Sequence, residues 1–82
     1  MTKIKGINNL YVAKCNSLLM ELSSNNEFND KDLKNQVTKK CIDILIKMNL
    51  IQYIDLKFSL TEYGYEIEKS TELTYNDIKN YL

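Results

Sequence analysis

The chain contains no proline, no tryptophan, no histidine and no arginine, and it has only two glycines and two cysteines. Without histidine, and with no Cys-x-x-Cys pair, a zinc site would have to be built from unusual ligands. Histidine is also the side chain most often used as a general base. There is no glycine-rich phosphate loop either, and no acid and nucleophile at a recognisable spacing, so the residues argue against an enzyme and imply neither cofactor nor metal. Every basic residue is a lysine, and the planar guanidinium that makes bidentate contacts to guanine is missing. No apolar run approaches the roughly 20 residues that cross a bilayer, and the first ten residues lack the apolar block of a secretory signal. The chain therefore reads as cytoplasmic, with no membrane partner.

What is present reads as one folded domain over residues 1–82, with 44% hydrophobic and 27% charged residues. A domain of this size gains only a few kcal/mol from a single core, so a partner chain would help it. Cys15 and Cys41 both fall on apolar helical faces, where a free thiol behaves as a small hydrophobe. Net charge is zero, yet the charge is uneven: residues 1–47 hold eight lysines and five acids, and residues 48–82 hold three lysines and six acids. Any surface for a polyanion must therefore be local and lie in the first half.

Lys3 and Lys5 stand in a short polar lead. A helix over 7–22, capped by Asn8 or Asn9, carries Tyr11, Cys15, Leu18, Leu19 and Leu22 as one apolar stripe, with Asn9, Asn16 and Ser17 opposite. Ser23-Ser24-Asn25-Asn26 stops it. Asn29 or Asp30 caps a short helix over 29–36, anchored by Leu33 and Val37. A third helix over 38–48, with Thr38 as its cap, turns Cys41, Ile44, Leu45 and Met48 inward and leaves Gln36, Lys40, Asp43 and Lys47 as a polar stripe. Ile42 and Ile46 flank that stripe; they are either covered by the first or last helix or form a ridge for a partner.

Asn49 leaves the helix, since Asn tolerates the left-handed conformation that ends helices. A hairpin over 50–61 follows, in which Leu56, Phe58 and Leu60 alternate with Lys57, Ser59 and Thr61. Thr61 caps a helix over 62–70. In that helix Gly64 allows close backbone packing and Tyr63 and Ile67 return to the core. Thr74 and Asp77 have the spacing of a capping box for a last helix over 74–82. That helix presents Ile78, Tyr81 and Leu82 and either packs on the first helix or crosses to a second subunit.

The stretch TKKCIDILIKMNLIQYIDLKFSLTEYG, residues 38–64, runs helix, hairpin, helix and closes on Leu60-Thr61-Glu62-Tyr63-Gly64. It resembles the second half of a winged helix-turn-helix domain. The fold this implies is mainly α with a small β-hairpin: three core helices, a wing and C-terminal helices, with Glu27 and Phe28 as a very short first strand. Leu33 and Leu50 are only seventeen positions apart, closer than in most such domains. Either the second helix is cut short at a tight corner near residues 36–38, or the second and third helices are fused.

The resemblance implies a small DNA-binding transcriptional regulator, dimeric, with double-stranded DNA as its partner. Asn35 and Gln36 would meet adenine edges, and Lys34, Lys39, Lys40 and Lys57 would meet phosphates. Thr38, Asp43 and Lys47 complete the start and outer face of the third helix. Ile42, Ile46, Ile78, Tyr81 and Leu82 would form a dimer or partner surface. The alternative is a winged helix that binds protein, such as a phage-encoded inhibitor of a host protein. Zero net charge, absent arginine, the shortened second helix and the Ile42/Ile46 ridge favour that alternative. Abundant Asn, Ile and Lys suit the AT-rich genome of a low-GC bacterium, its phage or a mobile element.

Overall fold

In the computed structural model, which describes the backbone of residues 2–82 and the side chains of residues 9–82, the chain is mainly helical and carries one antiparallel hairpin. Helix α1 spans Thr2–Ser23. It begins earlier than the asparagine caps suggest, and Asn8 and Asn9 lie inside it. Gly6, the weakest helix former in that lead, costs only about 1 kcal/mol relative to Ala, too little to stop the helix. The side chains of Lys3 and Lys5 lie outside the described residues. The expected stripe is inward: Cys15, Leu18, Leu19 and Leu22 are buried, and Tyr11 packs beside them.

Asn25, at φ 63°, turns the chain out of α1, and the Asn26 amide closes the helix on the Glu21 carbonyl at 2.9 Å. Glu27 and Phe28 form no strand. Phe28 is instead held by its ring, 5.5 Å from that of Phe58. Helix α2, Asp30–Lys34, is capped by Asn29, whose side-chain oxygen accepts from the Asp32 amide at 2.8 Å.

A single extended residue, Asn35 (φ −74°, ψ 128°), joins α2 to α3, Gln36–Lys47, so the two helices are separate. Asn35 is also the cap of α3, its side-chain oxygen accepting from the Thr38 amide at 3.1 Å. Thr38, expected in that role, lies three positions into the helix and is fully buried. Helix α3 sends Cys41, Ile42, Ile44 and Leu45 into the core. It ends on Asn49, at φ 62°, and the Leu50 amide donates back to Leu45 O at 2.9 Å, the closure a left-handed residue permits.

Strands β1, Ile51–Ile54, and β2, Lys57–Leu60, pair in the register Ile51↔Leu60 to Ile54↔Lys57. The loop between them is only Asp55 and Leu56, at φ 55° and 62°. This is a type I′ turn, whose twist matches that of the strands. Leu56 is therefore not the first inward residue of an alternating strand. It sits at the turn, 88% exposed.

Helix α4, Glu62–Ser70, is capped by Thr61: its Oγ1 accepts from the Gly64 amide at 2.9 Å and donates to the Asn49 carbonyl at 2.7 Å. Gly64 is buried where the start of α4 meets the backbone linking α3 to β1, and a Cβ there would overlap the carbonyl oxygen of Leu50. Tyr63, one position away from that line of contact, is half-exposed instead of joining the core.

The C-terminal segment folds back on α1. Asn16, expected on the solvent side, accepts from the Leu73 amide at 2.8 Å and donates to the Leu73 carbonyl at 2.9 Å, and Leu73 is buried. Helix α5, Tyr75–Ile78, follows, its first turn closed by Asp77 accepting from the Thr74 amide at 2.7 Å, and a 3-10 turn over Lys79–Tyr81 replaces the second half of the expected helix. Ile78 is fully buried, so this tail packs on its own chain.

An alanine at an exposed helix glycine would add about 1 kcal/mol of stability. At Gly64 the added methyl meets backbone that cannot move without opening the hairpin. Gly64→Ala is expected to lower the unfolding free energy by roughly 3 kcal/mol, read as a lower urea midpoint; an unchanged or raised midpoint would contradict the packing described here.

Candidate nucleic-acid interface

Of the residues expected to meet DNA, Lys34, Asn35, Gln36, Lys39 and Lys40 gather at the joint between α2 and α3, whereas Asp43 and Lys47 lie further along α3 and Lys57 lies on the hairpin. Asn35 is the only residue between the helices, so Lys31 and Lys34 of α2 sit next to the first turn of α3. Along α3, Gln36, Lys39, Asp43, Ile46 and Lys47 are exposed and Lys40 is half-buried. The spacing that turns Cys41, Ile44 and Leu45 inward turns this polar set outward.

Four of these residues are already engaged. The side-chain oxygen of Asn35 is used by the cap, so a bidentate contact to adenine, which needs both its oxygen and its NH2, would require the cap to break. Lys47 and Asp43 are 3.0 Å apart in an exposed i, i+4 pair, so the acid offsets that lysine's charge. Lys57 is on the hairpin, 3.7 Å from Glu27. The unoffset cations of the patch are Lys34, Lys39 and Lys40, with Lys31 beside them as a lysine that sequence reading passed over.

Thr38 is removed from the interface by its burial. Its hydroxyl has no hydrogen-bond partner among the described residues, and its place in α3 lies among the core residues. The second expected surface is dispersed. Ile42 is 7% exposed and Ile78 is fully buried, because α3 and α5 both turn these side chains inward. Tyr81 packs against the core, leaving Ile46 at 44% and Leu82 at 40% as the exposed members.

Cys15 and Cys41 are free and fully buried, where α1 meets α3. The Cys41 thiol donates to the Tyr11 carbonyl at 3.5 Å. Cys15 is pushed up from the ordinary thiol range by its hydrogen bond to Cys41 and then by burial; the same hydrogen bond draws Cys41 down. Among the described residues no group of three or more His, Cys, Asp or Glu could hold a metal ion, and no helix is long and apolar enough to cross a membrane.

The apolar residues of the hairpin tip were missed. Tyr53 and Ile54 are each 53% exposed and stand beside Leu56. Alternation had placed Leu56 inside a strand, and only the two-residue loop between Ile54 and Lys57 shows otherwise. Comparison of the chain with family profiles, with characterised proteins and with solved structures finds no match.

Replacing a buried unpartnered hydroxyl by a methyl of the same shape removes a desolvation cost. Thr38→Val is expected to raise stability by about 1 kcal/mol in chemical unfolding. A loss of stability would mean that the hydroxyl is satisfied or exposed.

Proposed function

We propose that the chain is a small DNA-binding transcriptional regulator of winged-helix type, acting in the cytoplasm as a dimer on double-stranded DNA. The observation that carries this reading is the one-residue joint at Asn35. It keeps α2 and α3 apart as two helices, so the first turn of α3 stands at a corner with one polar face outward. The order that follows, hairpin then capped α4, supports the winged-helix assignment. On this reading Gln36 is the residue placed to hydrogen-bond a base edge, and Lys31, Lys34, Lys39 and Lys40 meet phosphates. The hairpin contributes little: Lys57 is paired with Glu27, and Asp55 occupies the turn.

A second reading is favoured by the exposed apolar groups. Ile46 in the polar face of α3 and Leu56 at the turn would gain nothing from phosphates, whereas burial of each against a protein would be worth roughly 1.5 kcal/mol or more. Together with zero net charge, they suit a module that binds a protein, such as a phage-encoded inhibitor of a host component.

Titration of mixed-sequence duplex DNA at rising salt separates the two. The DNA reading predicts binding at low salt, with log K falling against log salt at a slope of roughly −3, since three or four lysines displace counterions. Lys39→Glu combined with Lys40→Glu should weaken binding by at least about tenfold and flatten that slope by about 2. No binding at low salt, or binding indifferent to salt, would favour the protein partner.

A further inference from the structure

Cys15 and Cys41 are the only cysteines of the chain, and the fold brings them together from positions far apart in sequence. Helices α1 and α3 pack on each other, and both thiols are fully buried at that seam. The Cys41 thiol reaches the Tyr11 carbonyl at 3.5 Å. Within α1 that same carbonyl accepts from the amide one turn on, which is the amide of Cys15. A helical Cβ tilts toward the N-terminus of its helix, so the Cys15 side chain leans back over the Tyr11 turn, where the Cys41 sulfur lies. Sulfur meets sulfur: Cys15 donates to Cys41, and Cys41 donates to Tyr11.

As small hydrophobes the two thiols would fill the core equally well apart. Side by side they have a reaction open to neither alone, with a small disulfide such as oxidised glutathione as the oxidant. The Cys41 thiolate attacks one sulfur of that disulfide and releases the first thiol; the Cys15 sulfur then attacks the Cys41 sulfur, the mixed disulfide breaks, and the second thiol leaves. Two electrons pass from the cysteines to the small disulfide, and the two protons leave on the released thiols. Cys41 suits the first step, drawn down by the hydrogen bond from Cys15 and further by the charge of the half-buried Lys14, against the effect of burial. Cys15, pushed up, keeps its proton for the thiol that leaves in the second. Burial slows the meeting with the oxidant, which enters as the seam opens. It also decides the product: with both sulfurs 0% exposed, the closed seam has no room for a glutathione adduct, and the neighbour of a modified Cys41 is Cys15.

We infer that Cys15 and Cys41 are a redox-responsive pair that closes to a disulfide bridging α1 and α3 when small disulfides accumulate. In a reducing compartment the bond is transient, opened again by free thiol as the balance returns. No nucleic acid takes part, so formation of the bridge and DNA binding are separate results.

The test is incubation of the full chain at fixed reduced glutathione and rising oxidised glutathione, with and without concentrated urea, followed by acid quenching and mass spectrometry. The folded chain should lose two hydrogens, with no adduct and no covalent dimer. Half-conversion should need roughly 100-fold less oxidised glutathione than in urea, because a bridge between positioned thiols stabilises the fold by as much as the fold favours the bridge. For the same reason the bridged chain should melt about 10 °C or more above the reduced chain. A folded chain that stays reduced, or that takes up glutathione or dimerises covalently in place of bridging, would overturn the proposal. So would half-conversion at the same point with and without urea, or a bridged chain that melts lower than the reduced one.

Discussion

One carbonyl, that of Leu50, fixes how the two halves of the chain meet. It accepts from the Thr61 amide at 3.1 Å, which closes the base of the hairpin, and it lies against Gly64, which brings the start of α4 onto the backbone linking α3 to β1. Thr61 completes the junction by bonding to Asn49 on one side and capping α4 on the other. A left-handed asparagine, a threonine that caps and bonds backwards, and a glycine without a side chain are each needed for that crossing. Leu50, Ile51 and Leu60 are buried on its inner side, while the bond from Thr61 to Asn49 lies at the surface.

The features that local chemistry determines were readable from the residues. Asn49 as the left-handed end of α3, Thr61 as a cap and Gly64 as a point of close approach each follow from what those side chains permit. The stripe of α1 follows from its spacing. What failed was decided by contacts between distant parts of the chain or by competition between adjacent candidates. Asn35 and Thr38 could each cap a helix, and burial of Thr38 among the core residues decides for Asn35. Asn16 reads as a solvent residue until Leu73, fifty-seven positions away, supplies a backbone that both donates to it and accepts from it. Leu56 fitted an alternating strand, and only the pairing of Ile54 with Lys57 moves it into the turn.

Of the candidate site, the cationic residues at the start of α3 were readable, because polar residues at helical spacing opposite an apolar stripe must face outward. The apolar partner surface was not. Whether Ile42 or Ile78 is free depends on what lies across from it, and both are taken up by the core of their own chain. The surface left over divides into a lysine-bearing corner between α2 and α3 and an apolar tip on the hairpin. Both are held in place by the junction at Leu50, since α3 leads into it and the hairpin closes on it.

Native-state hydrogen exchange tests that junction directly. The amides of Leu50, Thr61 and Gly64, all hydrogen-bonded, should exchange only through global opening, as slowly as those of Ile44 and Leu45 in buried α3. Exchange of these three at the rate of the exposed C-terminal residues, with Ile44 and Leu45 still protected, would show that hairpin and α4 open independently of α3 and would contradict the crossing at Leu50.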